Sequence, residues 1–200
     1  RDQHGAPRAA RPRDEGVSDH SRARHDLAAA REAMGLKDVA RAGWLRVGVE
    51  HPESVAAHSW GVALLALLRC PPGLDREKVL AMAILHDLAE VRVGDLTPQD
   101  GVPREEKHHR ERVALRAMLG HRPELLDLWE EAEACVTPEA RFVKLLDRAD
   151  MGLQAERYML AGHDVSEFLS ATHEARHVLF GSEASPQPAR PGVDDETPGR

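Results

Sequence analysis

The sequence predicts an all-α domain. Hydrophobic residues fill 42% of the 200 positions but aromatics only 4%, which suits Ala/Leu packing between helices rather than an aromatic-rich β-sandwich. Long β-branched runs with a two-residue period are missing. Apolar residues recur instead at helical spacing, between good N-caps and Pro or Gly stops. A chain of this length builds one domain with a real core, placed here at residues 21–180. Residues 1–20 and 181–200 hold few large apolar side chains and are expected to be disordered tails.

His25 to Lys37 reads as a first helix, with Leu27, Ala30 and Met34 on one face. Val39 to Pro52, with Gly43 and Gly48, breaks the pattern and is expected to be a loop. Ser54 to Arg69 is a second helix, capped by Glu53 or Ser54 and stopped by Cys70-Pro71-Pro72-Gly73. Asp75 is a good N-cap for a third helix, expected to run to Val91. Arg92 to Pro103 is a loop. Pro103 to Leu119 is a charged fourth helix, with Gly120 suited to the C′ position. Pro123 to Ala134 is a fifth. Thr137-Pro138-Glu139 opens a long sixth helix that stops near Gly162, and Asp164 with Glu167 caps a last one through Leu179. The total is about seven helices and no strand.

The formal net charge of −7 argues against a nucleic-acid partner, which needs a dominant basic surface. A small phosphorylated ligand needs only local cations. Cys70 and Cys135 have no zinc-like spacing and read as free thiols in a reducing compartment. The longest apolar run, Val62 to Leu68, falls short of the about 20 residues a membrane span needs. The N-terminus has arginines but no apolar leader segment. A soluble cytoplasmic protein without a membrane partner is expected.

The chemistry gathers around Ile84-Leu85-His86-Asp87-Leu88-Ala89-Glu90. Asp87 sits where the helical pattern expects burial, and a buried carboxylate needs a cation. His58 and Asp147 also sit in apolar helical runs. Each of these residues alone has an ordinary reading: a hydrogen-bonded core histidine, or an aspartate paired with Arg141 or Arg148. Together they are four metal-competent groups on three helices, and buried carboxylates without a cation would be costly. The mixed nitrogen and oxygen set suits one divalent ion, Mn²⁺, Co²⁺, Fe²⁺ or Zn²⁺ rather than Ca²⁺, with Mg²⁺ also considered. Protein ligands of this number leave positions open for a water and a phosphate oxygen, the arrangement for hydrolysis.

Glu90 lies one helical turn beyond His86. It reads as an acid/base beside the metal, against a solvated helix end or a salt bridge to Arg92. Asp95, after Gly94, is a second carboxylate over the same cavity or a plain turn residue. Arg41 and Arg46 are rival phosphate ligands. Trp44 lies against a sugar or base, or staples its loop to the core. His108 and His109 fall on a charged helix and read as exposed.

These residues are similar to the H…HD…D signature of the HD-domain metal-dependent phosphohydrolases. Within them the chain resembles the 5′-deoxynucleotidases grouped as HD domain-containing protein two and their bacterial counterparts. The likeness runs from about Leu27 to Leu160. It rests on Arg41-Ala42-Gly43-Trp44, on Pro52-Glu53-Ser54-Val55-Ala56-Ala57-His58, on His86-Asp87-Leu88-Ala89-Glu90 with Gly94-Asp95, and on Phe142-Val143-Lys144-Leu145-Leu146-Asp147. It implies a helical HD bundle in which His58, His86, Asp87 and Asp147 bind one divalent metal and Glu90 and Asp95 assist catalysis. It places Trp44 and a nearby arginine at the sugar and phosphate, and Glu133 near the substrate. It also implies a homodimer. One departure stands out: the bacterial enzymes carry an arginine directly before the tryptophan, where this chain has Gly43. Arg41 or Arg46 must then take its part.

The expected function is hydrolysis of deoxyribonucleoside 5′-monophosphates to deoxynucleoside and phosphate. A dinuclear HD phosphodiesterase is the alternative enzyme, drawing extra ligands from His108, His109 or His121. A non-catalytic nucleotide-binding module and a purely structural metal are the alternatives of other classes.

Overall fold

The computed structural model describes residues 19–181. The two expected tails lie outside these residues, apart from Asp19 and His20, which open the first helix, and Gly181, which ends the last. Among the described residues the order is α1 Asp19–Ala33, α2 Ala42–Arg46, α3 Val55–Arg69, α4 Arg76–Leu85, α5 Glu90–Val93, α6 Arg104–Leu119, α7 Pro123–Ala134, α8 Pro138–Leu160 and α9 Ser166–Phe180. They contain no strand, only an isolated bridge between Ala40 and Ser54. The all-α expectation holds, and α2 and α5 are single short turns between the longer helices.

Local chemistry explains where three of the long helices begin. The Ser54 hydroxyl accepts from Ala57 N at 3.2 Å and opens α3. Asp75 Oδ1 accepts from Glu77 N and Lys78 N and opens α4. Thr137 with Pro138 starts α8.

Four boundaries differ from expectation. The first helix begins at Asp19 rather than His25, with an acidic residue in its first turn, and a 3₁₀ turn at Met34–Lys37 ends it and buries Leu36. The expected loop before Pro52 contains α2. Its cap comes from far along the chain, because Asp95 Oδ2 accepts from Ala42 N at 2.7 Å. Gly120 is not a left-handed cap; its φ is −58°. The third expected helix does not run through to Val91 but breaks after Leu85. There Glu90 N bonds back to Asp87 O (3.0 Å) and Leu88 N to Leu85 O (3.0 Å), so the chain tightens into three-residue turns. The His86 carbonyl, freed from the ladder, accepts from the Trp129 indole at 3.2 Å.

The long helix α8 is the central element. Val143, Leu146 and Ala149 pack with Val62, Leu65 and Ala66 of α3, Val79, Met82 and Ala83 of α4, and Ala175 and Leu179 of α9. A second cluster joins α1, α4, α6 and α7 around Leu85, Leu115, Met118 and Trp129. Gly61 lets α3 approach α8, since a Cβ there would collide with the Asp150 carboxylate. This packing sets His58, His86 and Asp147 on three helices that face one another.

Candidate functional site

His58 is fully buried on the core face of α3, among Val55, Val62 and Leu65. His86 caps the end of α4, Asp87 lies in the turn that follows, and Asp147 projects from α8. Their polar atoms converge. His58 Nε2 lies 3.2 Å from Asp147 Oδ1 and 3.7 Å from Asp87 Oδ2. His86 Nε2 lies 3.2 Å from Asp87 Oδ2 and 3.4 Å from His58 Nε2.

The far side of each ring decides what faces inward. His86 Nδ1 sits 2.8 Å from the Ala83 carbonyl, which can only accept, so Nδ1 carries the proton. His58 Nδ1 sits 2.7 Å from Asp150 Oδ2 and donates in the same way. In the neutral imidazoles both Nε2 atoms are then the lone-pair nitrogens, facing each other and two carboxylates. Acceptors gathered this closely favour a cation beside them, and imidazoles with carboxylates are ligand types that fit a transition-metal ion. His58, His86 and Asp147 form a group whose ligand atoms all lie within 4.8 Å of one another.

The electrostatics agree. Burial opposes charge on His58, yet its bonds to Asp147 and Asp150 outweigh burial and push it up to about 10. A proton and a metal ion compete for this place. Burial likewise opposes charge on Asp87 and Asp147, but His86 beside the first, and His58 with Lys144 beside the second, hold both well below the usual carboxylate range. Glu90 goes the other way. It is 2% exposed, and burial, then Asp87 and Asp95, push it up to about 10. Its Oε2 is buried without a hydrogen-bond partner, while Oε1 lies 3.8 Å from Lys107 Nζ.

The remaining expected residues separate. Arg41 Nη1 lies 3.5 Å from Asp87 Oδ2 and 4.0 Å from Asp95 Oδ1, so this arginine reaches the cluster. Asp95 ties the loop after α5 to the start of α2. Arg46 points elsewhere, bonding Glu167 at 2.7 Å and lying over Phe168. Trp44 is 1% exposed. It packs on Tyr158 and Phe168 and donates to Glu53 Oε1 at 3.0 Å, which makes it the core staple of its loop. Glu133 lines a cavity of about 490 Å³ together with His86, Asp87 and Asp147.

That cavity brings in residues to which the sequence reading gave no role: Lys107, from the family-like stretch Glu105-Glu106-Lys107-His108, and Glu111 from α6, and Lys144 from α8. Asp150 was overlooked as well. Its spacing from Asp147 was the available signal, because residues three apart share a helix face. Of the extra histidines, His108 lines the cavity and stacks on Trp129 at 5.1 Å, His109 is exposed, and His121 bonds Asp26 at 2.9 Å. Among the described residues the other converging group is Glu53, His58 and Asp150, which shares His58; none forms around those three histidines.

A family profile described as HD domain matches residues 33–178. The chain belongs to the HD domain family. Relatives inside this family share substantial identity. The chain is 44% identical to a 5′-deoxynucleotidase of Bos taurus over 62% of this chain and 62% of that protein, so the match spans about three fifths of the relative. It is 36% identical to a 5′-deoxynucleotidase of Schizosaccharomyces pombe over 72% of this chain and 79% of the relative. A crystal structure of a protein from Pyrococcus horikoshii OT3 superimposes with a TM-score of 0.66 at 36% identity, over 79% of this HD domain chain and 92% of the other.

Proposed function

We propose that this HD domain protein is a metal-dependent phosphomonoesterase that hydrolyses deoxyribonucleoside 5′-monophosphates. The observation that carries the reading is the convergence of His58, His86, Asp87 and Asp147, the last three on the wall of a cavity of about 490 Å³, beside the buried Glu90. Names of the bovine and fission-yeast relatives support the substrate class.

A divalent ion held by those four residues would supply a positive centre that acidifies a water and draws charge from the phosphoryl oxygens. The protein does the rest. Asp150 and the Ala83 carbonyl keep the protons of His58 and His86 on Nδ1. Arg41 balances the charge of Asp87 and Asp95. Of the two arginines weighed from sequence, we assign the family arginine's part to Arg41, because Arg46 is engaged with Glu167. Glu90 holds a proton on its buried carboxyl. A cation held at Asp87 would offset the negative charge that raises Glu90 and so loosen this carboxyl's hold on its proton. Glu90 then delivers that proton to the leaving 5′-oxygen, so the deoxynucleoside departs neutral. Asp95 assists by holding α2 and Arg41 in place. Glu133, on the cavity wall, faces the nucleoside. Trp44 acts through its packing on the Arg41 loop.

A homodimer and a cytoplasmic location belong to the same reading. Trp60, 68% exposed, and Leu64, Leu67 and Leu68 leave an apolar stripe on α3 that supports the first. The free thiols Cys70 and Cys135 support the second. No helix among the described residues is long and apolar enough to cross a membrane.

The test is phosphate release from deoxy- and ribonucleoside 5′-monophosphates, using metal-stripped protein with Mn²⁺, Co²⁺, Zn²⁺ or Mg²⁺ restored. The expected outcome is metal-dependent release from the deoxy substrates. Asp87→Ala should abolish it, and Glu90→Gln should lower kcat by about 10²–10⁴-fold, the usual worth of a general acid. Folded, metal-loaded protein that releases no phosphate would overturn the reading.

A further inference from the structure

A phosphate dianion entering the cavity meets a wall of like charge. Asp87, Glu111, Glu133 and Asp147 all line it. Such a wall repels the ligand unless a cation stands where its oxygens arrive. The cations here are not equivalent. Arg41 faces Asp87 and Asp95 and, with its side chain 14% exposed, does not line this cavity. Lys144 Nζ lies 2.6 Å from Asp147 Oδ2, a full charge-assisted bond. Arg104 stands at the exposed rim.

Lys107 differs. Its Nζ lies 3.5 Å from Glu111 Oε1 and 3.8 Å from Glu90 Oε1. Both are beyond the roughly 2.7–2.9 Å of a charge-assisted bond. Its close partner is the neutral Leu96 carbonyl, at 3.2 Å. An ammonium carries three donors, so donor capacity remains. Burial pushes the Glu111 carboxyl up to about 7 against the pull of Lys107, so near neutral pH it holds this ammonium with less than a full charge. The side chain is 34% exposed, which leaves it reachable from the cavity. It also sits in the first turn of α6, where the helix dipole favours an anion.

We propose that Lys107 is a further phosphate-binding residue of this site beside Arg41, its ammonium receiving a non-bridging phosphate oxygen on the α6 side of the cavity. The assignment rests on the phosphomonoesterase reading above.

The experiment compares Mn²⁺-loaded wild type, Lys107→Gln and Lys107→Arg. It measures KM for the deoxynucleotide, inhibition by inorganic phosphate, and Mn²⁺ affinity. In Lys107→Gln, KM should rise and phosphate inhibition weaken by about tenfold to a hundredfold, the worth of a hydrogen bond to a charged group. Mn²⁺ affinity should stay near wild type, and Lys107→Arg should recover most of the loss. Unchanged KM and phosphate inhibition in Lys107→Gln would overturn the proposal. So would a fall confined to kcat, which would make Lys107 a positioning residue for Glu90. A parallel loss of Mn²⁺ affinity would overturn it too. If the wild type turns over no deoxynucleotide with any metal, the enzymatic reading fails, and calorimetry with inorganic phosphate decides on Lys107 separately. Binding lost in Lys107→Gln then supports the proposal; equal binding, or none to the wild type, overturns it.

Discussion

His58 presents its two ring nitrogens to different surroundings. Nδ1 donates to Asp150, so in the neutral ring Nε2 is the lone-pair nitrogen, facing His86, Asp87 and Asp147. Asp150 therefore works through His58. It sets the tautomer and the ring angle and makes the imidazole a better donor to a metal. Asp150→Ala should weaken Mn²⁺ or Co²⁺ binding by about 10–100-fold, measured by competition titration of metal-stripped protein. An unchanged affinity would remove Asp150 from this role. Asp147 was legible in the sequence because an aspartate in an apolar helical run demands a partner. Asp150 has the same signal one turn later, but only the fold shows that both face one histidine. Trp44 shows the limit of motif reading. Its residue type suits sugar or base contact, yet Tyr158, Phe168 and Glu53 enclose it.

Among the elements, the break between α4 and α5 does the most for the site. A regular helix through His86 and Asp87 would splay the two side chains by about 100°. The tightened turns at Leu85–Leu88 and Asp87–Glu90 depart from that geometry and free the His86 carbonyl. Trp129 of α7 satisfies this carbonyl. Trp129→Phe keeps the ring but leaves a buried acceptor unpaired, at a cost of about 1–3 kcal/mol. Urea unfolding should register that loss, and metal affinity should fall with it as His86 loosens. Full stability and wild-type affinity would show that the break holds itself. The sequence could not announce this break, because the apolar period runs through it and Pro and Gly are missing there. The short α2 was hidden for a related reason: its cap, Asp95, lies fifty-three residues away.

At the scale of the whole molecule, α8 is both the hub of the core and the carrier of Asp147 and Asp150. Folding therefore brings four acceptors together at a cost the packed helices must offset. An ion that binds only the folded chain changes this balance by mass action. Mn²⁺ at about 100 times its dissociation constant should stabilise metal-stripped protein by about 2.7 kcal/mol. Thermal unfolding should show a midpoint that climbs with metal concentration. Asp147→Ala should remove the climb; a metal-independent midpoint in the wild type would argue against a site at this cluster.

The sequence by itself determined the helical class and most helix boundaries, and picked out His58, His86, Asp87, Asp147 and Glu90 as candidates. Those follow from local rules: apolar periodicity, caps, and the cost of burying a charge without a counter-charge. It also carried the likeness to the HD phosphohydrolases. Tertiary structure alone decided which of Arg41 and Arg46 reaches the cluster, that Trp44 is packed away, and that Lys107 and Asp150 join the site. Those depend on how helices distant in sequence approach one another, and a one-dimensional period contains no such distance.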